Sequence, residues 1–163
     1  TATPTRTPTR HEFYLQALRH RRGAVRLYGA EKLEQTADER AIEPLLGLTK
    51  DESVEIQFAC VRALSRFAAR TEVAARFAEI LEYGDLSVRQ AAIEGLGEAR
   101  VASAVPALVR LLTNPFLKTR AAEAIKRIGD RRGYLAVLRR KRRDEMVERQ
   151  RKLVRDKDKH GRK

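Results

Sequence analysis

The sequence predicts an all-α solenoid, and three observations lead there. The chain repeats itself at a period near 30 residues, in columns that open at Val25-Arg26, Ile56-Gln57, Val88-Arg89 and Leu117-Lys118. Self-similarity at such a period marks stacked supersecondary units. Within each column the shared residues fall at i, i+4 and i+8, one stripe of a helix with 3.6 residues per turn. The middle of the stripe is always small (Gly29, Cys60, Ala92, Ala121) and its end always a large aliphatic (Leu33, Leu64, Leu96, Ile125). A small residue lets a neighbouring backbone come close while the aliphatics fill the space around it. Composition is the third observation: 35% charged and 6% aromatic side chains, with no Trp, suit a thin stack with much surface and argue against a large closed pocket. One such helix cannot bury its stripe alone, but stacked copies can.

The elements follow in order. Residues 1–9, Thr-Ala-Thr-Pro-Thr-Arg-Thr-Pro-Thr, have no apolar periodicity and read as an extended linker. Residues 10–20 carry Phe13, Leu15, Ala17 and Leu18 and predict a capping helix over the first repeat, flanked by Arg10, Arg19, Arg21 and Arg22. First-type helices are expected near 24–36, 54–69, 86–98 and 116–128, and second-type helices near 40–49, 72–82, 103–113 and from 133 onward. The latter carry Ile42, Leu45 and Leu48, then Val73, Phe77 and Ile80, then Val105, Leu108 and Leu111, again at helical spacing. Asp38 and Ser103 stand where N-caps are wanted, and Asn114-Pro115 reads as an N-cap followed by proline at the first helical position. Gly84 and Gly129, each before an Asp, mark helix ends.

Beyond Leu138 the pattern thins. Arg139-Arg-Lys-Arg-Arg143 is followed by scattered Met146, Val147, Leu153 and Val154. A narrow stripe of Leu138, Met146 and Leu153 predicts one helix to about residue 155, projecting beyond the stack, with 156–163 disordered in isolation. The chain therefore divides into a linker at 1–9, a solenoid at 10–138 (repeats near 24–53, 54–85, 86–115 and 116–138) and a basic helix and tail at 139–163.

The runs Val88-Arg-Gln-Ala-Ala-Ile-Glu-Gly-Leu-Gly97 and Ala104-Val-Pro-Ala-Leu-Val-Arg-Leu-Leu112 resemble HEAT repeats, of the short type found in phycobilisome lyases. The resemblance spans about residues 24–138. It is strong at 85–129 and looser at 24–70, where Lys32 fills a column otherwise held by Ala63, Gly95 and Ala124. It implies a binding scaffold and no particular reaction. Two enzyme readings come with it. Bilin-lyase-type subunits are usually longer chains and often work as heteromeric pairs. HEAT-like alkylpurine DNA glycosylases rely on a tryptophan and an acidic residue, and a chain without Trp does not carry that motif.

The residues themselves assemble no catalytic constellation. Cys60 is the only thiol, which excludes an intramolecular disulfide, and its place in the small-residue column predicts a buried, inert side chain. His11, His20 and His160 lack a second ligand at i+3 or i+4, so no metal site is expected. Gly95-Leu-Gly97 lies in or at the end of a helix with no preceding strand, unlike a dinucleotide fingerprint. No Gly-x-Ser-x-Gly or His-Glu-x-x-His is present. The expectation is no catalytic residue, no metal and no cofactor. No apolar run approaches the ~20 residues of a membrane span. The chain opens without Met and without the apolar core of a signal peptide, so a removed leader or a piece of a longer protein is expected. The compartment is left open by the sequence, with a cytoplasmic location favoured and export or an organelle after leader removal as the alternative.

The net charge of +13 is unevenly placed. Residues 1–22 carry +4, residues 23–130 carry 15 basic and 16 acidic side chains, and residues 131–163 carry 15 basic and 5 acidic ones. The solenoid is neutral and the ends are basic. A protein partner is expected on the exposed first-helix face, at Arg26, Glu31, Gln57, Arg62, Arg89, Glu94 and Glu123. The tail offers Arg139, Arg140, Lys141, Arg142, Arg143, Arg149, Arg151, Lys152 and Arg155. Pairs such as Glu145–Arg149 and Glu148–Lys152 have the favourable i,i+4 orientation for a solvated helix. The run at 139–143 exceeds what they neutralise and suits a polyanion, whether RNA, DNA or an acidic protein, or an anionic membrane surface. The function read from the sequence is a non-catalytic scaffold or adaptor in a larger assembly, with basic tails as auxiliary anchors. A nucleic-acid-binding protein and a bilin-lyase-type subunit are the alternatives.

Overall fold

The computed structural model describes residues 8–160, and every regular element among them is helical. Helix α1 (Arg10–Ala17) starts at Thr9, whose hydroxyl accepts from the Glu12 N–H at 3.3 Å while the Glu12 carboxylate accepts from the Thr9 N–H at 2.7 Å. This reciprocal box satisfies two donors that the first turn would leave unpaired. Thr9 therefore belongs to the helix, and the linker expectation for residues 1–7 falls outside the described residues. α1 ends sooner than the predicted residue 20. It buries Ala17 and Leu18 but leaves Phe13 exposed, because only the former pair faces α2 (Gly23–Glu34). At that contact a Cβ on Gly29 would lie 2.9 Å from the Ala17 Cβ. The small-residue column here admits the cap.

Four helix pairs follow: α2 with α3 (Ile42–Leu48), α4 (Val54–Leu64) with α5 (Thr71–Tyr83), α6 (Leu86–Glu98) with α7 (Val105–Leu111), and α8 (Lys118–Ile128) with α9 (Arg131–His160). α2, α4, α6 and α8 form one layer and pack closely on one another, whereas α3, α5 and α7 touch their layer neighbours sparingly. The cause is side-chain size. Cys60, Ala92, Ala121, Ala63 and Gly95 are all buried in the first layer, while the second inserts Phe77, Leu81, Leu108 and Leu111 between the layers. Ile56, Val88, Leu117, Leu33, Leu64, Leu96 and Ile125 are each no more than 2% exposed, so the sequence columns are the core, except that Val25 in the first repeat is only half-buried. The chain is an α-solenoid.

Several helix ends differ from expectation. α4 stops at Leu64 and passes through a 3₁₀ turn (Ser65–Phe67), where the Ser65 hydroxyl donates to the Val61 carbonyl at 2.9 Å. Ser103 is not an N-cap: it lies inside a 3₁₀ turn (Ala102–Ala104) that leads into α7. Asn114 caps a turn rather than the helix itself. Its side-chain oxygen accepts from the Phe116 and Leu117 N–H groups at 2.9 and 3.2 Å, and α8 begins only at Lys118. Pro115 therefore sits in that turn. Asp38 does cap, accepting from the Arg40 N–H at 3.0 Å. Gly84 ends α5, and Gly129 ends α8 in the left-handed region at φ 78. α6 ends without glycine: Arg100 takes φ 52, and the Val101 N–H donates to the Leu96 carbonyl at 3.0 Å. That six-to-one bond is the Schellman closure.

α9 runs antiparallel to α8. At its start Gly133 is wedged so closely that a Cβ would lie 2.7 Å from Val105 and 2.8 Å from Ile125. Further along, Lys118 at the opposite end of α8 meets Asp144 at 3.7 Å. α9 is the arm of the molecule: past Asp144 it continues to His160, about 24 Å at 1.5 Å per residue. The arm thus outlasts the predicted end at 155. The expected Glu145–Arg149 and Glu148–Lys152 pairs do not form among the described residues. Glu148 instead meets Arg155 at 3.2 Å, two turns on, and Arg140 meets Asp144 at 3.0 Å. No helix among the described residues is long and apolar enough to cross a membrane.

Candidate interaction surfaces

The exposed side of the first layer forms a continuous groove. Glu34, Phe58, Arg62, Ala91, Glu94 and Glu98 line an open cleft of about 500 Å³. A second cleft of about 530 Å³ shares Glu34, Phe58 and Arg62 and adds Leu27, Glu31 and Val54. A third of about 300 Å³ shares Glu94 and Glu98 and adds Arg120, Glu123 and Arg127. The shared residues carry one surface across α2, α4, α6 and α8.

Ion pairs between successive helices build its floor. Arg62 on α4 reaches back to Glu34 on α2 with its Nε at 2.9 Å from the carboxylate, and Arg120 on α8 pairs with Glu94 on α6. Arg62 stays half exposed, with its guanidinium 5.9 Å from the Phe58 ring centroid. The hydrogen bond that Arg62 donates to Glu34 raises the Arg62 pKa above its ordinary value, and Glu94 and Glu98 add to the effect. Glu31, Glu98 and Glu123 are exposed and form no ion pair among the described residues. The second layer carries its own rungs, Glu39–Arg70 at 2.5 Å and Glu82–Arg110 at 2.7 Å.

Of the first-helix residues expected to be exposed, Glu31, Arg62, Glu94 and Glu123 are. Arg26, Gln57 and Arg89 are not, and that expectation is corrected. All three are half-buried, because each turns toward an inter-repeat turn, whereas Lys118 at the same position of the last repeat is exposed. Arg26 forks onto Asp51, Nε to Oδ2 at 2.9 Å and Nη2 to Oδ1 at 3.3 Å, and also donates to the His20 and Arg21 carbonyls at 3.0 Å. Gln57 Nε2 donates to the Asp51 carbonyl at 2.6 Å. Arg89 packs its Cγ beside Gly84 and buries its Nε without a hydrogen-bond partner. Arg26 and Gln57 thus clamp the turn at Asp51. Burial raises the Asp51 pKa, but the Arg26 guanidinium and the Ser53 N–H outweigh it and hold the carboxyl below its ordinary value.

Cys60 is fully buried, and burial pushes its thiol up to about 12. Gly95 and Gly97 are packing glycines inside α6. A Cβ on the first would meet Ser65 Oγ at 2.5 Å, and one on the second would meet the Ala124 Cα at 2.9 Å. Among the described residues no group of His, Cys, Asp and Glu is arranged to hold a metal ion.

The arm carries the cationic residues. Arg139, Lys141, Arg142, Arg143, Arg149, Arg151 and Lys152 are exposed and unpaired among the described residues. Arg140 is turned to the stack and pairs with Asp144, and Arg155 is held by Glu148. Sequence reasoning missed an edge row of exposed apolar residues at successive inter-repeat turns: Val54, Tyr83, Leu86 and Phe116. The repeat columns place Val54 and Leu86 at the same position, two before the stripe, which was the available signal.

No curated protein sequence matches the chain. Among solved structures, a crystal structure of an engineered protein from the Northeast Structural Genomics Consortium is similar to it. The TM-score is 0.60 at 21% identity, covering 82% of this chain and 70% of that one. At that identity the likeness concerns the fold. A family model for HEAT repeats matches residues 12–85 and 73–154. It describes HEAT repeats as such and does not single out the phycobilisome-lyase type. With the matched stretches covering nearly the whole stack, this chain belongs to the HEAT-repeat family.

Proposed function

We propose that the protein is a non-catalytic scaffold that binds a protein partner along the groove of α2, α4, α6 and α8. The observation that carries this reading is the continuity of that groove. Its floor is rigid, since buried aliphatics and close-packed small residues hold the helices. Its rim displays the free carboxylates of Glu31, Glu98 and Glu123 beside the half-exposed Arg62 and Phe58. Preorganised surfaces of mixed charge around an aromatic and an arginine are what protein hot spots are made of. The family supports the same class, because HEAT repeats generally mediate protein interactions. The basic arm serves as an auxiliary anchor through Arg139, Lys141, Arg142, Arg143, Arg149, Arg151 and Lys152.

The test begins with cross-linking in native extract to identify the partner. Its affinity is then measured for the intact chain, for Arg62→Glu/Glu94→Lys and for a chain ended after Leu138. The double variant should lose about tenfold or more in affinity. The shortened chain should retain most of it, with a shallow dependence on salt. Exposed ion pairs contribute about 0–1 kcal/mol each, so the double variant should remain folded. Binding that vanishes with the arm and is nuclease-sensitive would overturn the proposal in favour of nucleic acid. In that case the slope of log K against log salt, near −3 to −5 for about five phosphates, should identify it.

A further inference from the structure

The arm has two opposite seams, and only one of them is used. Gly133, Val137, Arg140 and Asp144 lie at spacings of four, three and four residues and face the stack. Gly133 and Val137 are buried against it, and Asp144 reaches Lys118. Two residues further round, about 200° away on a helix, runs a second series at the same spacing: Leu135, Arg139, Arg142, Met146, Arg149 and Leu153. It points away from the stack. Leu135 is 42% exposed, Met146 57% and Leu153 63%, and the three arginines are exposed without an ion pair among the described residues.

Alternation of four and three residues is the 3.5-residue periodicity by which one helix meets another along a shared seam. Phosphate recognition accounts for the arginines but gives no reason for aliphatic side chains interleaved among them. A second copy of this chain is disfavoured, because it would bring the same arginines into one seam, where like charges repel. Resting on the reading of the arm as an anchor, we propose that the outer seam of α9 docks an acidic amphipathic helix of another protein. Leucine-like side chains of that helix would cover Leu135, Met146 and Leu153, and its carboxylates would pair with Arg139, Arg142 and Arg149. The contact spans about 27 Å, or five helical turns.

The probe is a synthetic helical peptide of about three heptads with Leu at its apolar seam positions and Glu at the positions facing the arginines. A twin carries Lys for Glu. Binding to the full chain is measured by fluorescence anisotropy, with far-UV circular dichroism and the Tm as fold controls, because every altered residue is exposed. The Glu peptide should bind and the Lys peptide should not. Met146→Ser/Leu153→Ser should weaken the Glu peptide about tenfold or more. Arg139→Glu/Arg142→Glu/Arg149→Glu should invert the preference, binding the Lys peptide instead, a rescue that unfolding cannot mimic. Equal binding by all three chains, or none by any, overturns the seam. Tight binding of a single-stranded RNA oligomer that ignores Met146→Ser/Leu153→Ser overturns it too, while leaving the arm an anchor. Self-association of the full chain in sedimentation would instead assign the seam to a second copy. An arm that binds neither peptide nor RNA would remove the anchor reading as well.

Discussion

Gly97→Ala and Gly47→Ala make the same chemical change and should have opposite signs. Both glycines lie in helices, α6 and α3, and alanine is intrinsically better there by about 0.8–1.0 kcal/mol. At Gly47 a Cβ meets nothing within 4 Å. No packing penalty therefore opposes the propensity gain, which is roughly halved because Gly47 sits in the last turn, and about 0.5 kcal/mol of stabilisation is expected. At Gly97 the new Cβ would lie 2.9 Å from both the Cα and the Cβ of Ala124. One of those atoms is backbone, so relief requires α8 to move away from α6 rather than a side chain to rotate. Overpacking of that kind costs about 1–3 kcal/mol, which exceeds the propensity gain and leaves Gly97→Ala net destabilising. Urea unfolding followed at 222 nm gives both midpoints, and an unchanged slope shows that the same surface unfolds in each variant. A Gly97→Ala chain as stable as Gly47→Ala would refute the close approach of α6 and α8, and with it the account of why the first layer is built from small residues.

Leu96→Ala should cost about 2–5 kcal/mol, since Leu96 is wholly buried, while Glu94→Ala two residues away loses only an exposed pair and should stay within about 0.5 kcal/mol; equal shifts in urea midpoint would mean the register is wrong. Cys60, with its thiol pushed up to about 12, should resist a thiol reagent at neutral pH and react fully in denaturant. Asp51 has a folded pKa below its unfolded value, so its contribution to stability is present above pH about 4 and is lost as pH falls through the folded pKa. Asp51→Asn should flatten that acid limb of the stability profile and cost about 1–3 kcal/mol at neutral pH, where Arg26 loses its charged partner. A profile of the same shape in both proteins would show that Asp51 is not the titrating group.

The repeat register was legible because burial obeys a period that a sequence displays directly. Val88, Ala92 and Leu96 share one face of a helix at any stability, and they can lie inside only if copies stack. Helix ends were less legible. Asn114 offers the same side-chain oxygen whether it caps a helix or a turn ahead of one, and Arg100 takes a left-handed conformation at a place where no glycine signals the stop. The charged surface was read residue by residue, and it failed where a charge has a distant partner. Arg26 looked like an exposed cation because Asp51, 25 residues on, is brought beside it only by the α3–α4 turn.

By itself the sequence determined the solenoid, its core columns, the burial of Cys60 and the segregation of positive charge to the ends. Each follows from local periodicity or composition, which need no knowledge of neighbours. The tertiary structure alone decided which polar side chains are clamps and which are surface. It joined Glu34 to Arg62 and Glu94 to Arg120 across adjacent repeats, so that three clefts became one groove. It also turned one seam of α9 to the stack and left the other bare. Those outcomes depend on distances between residues far apart in the chain, and such distances exist only once the helices have packed.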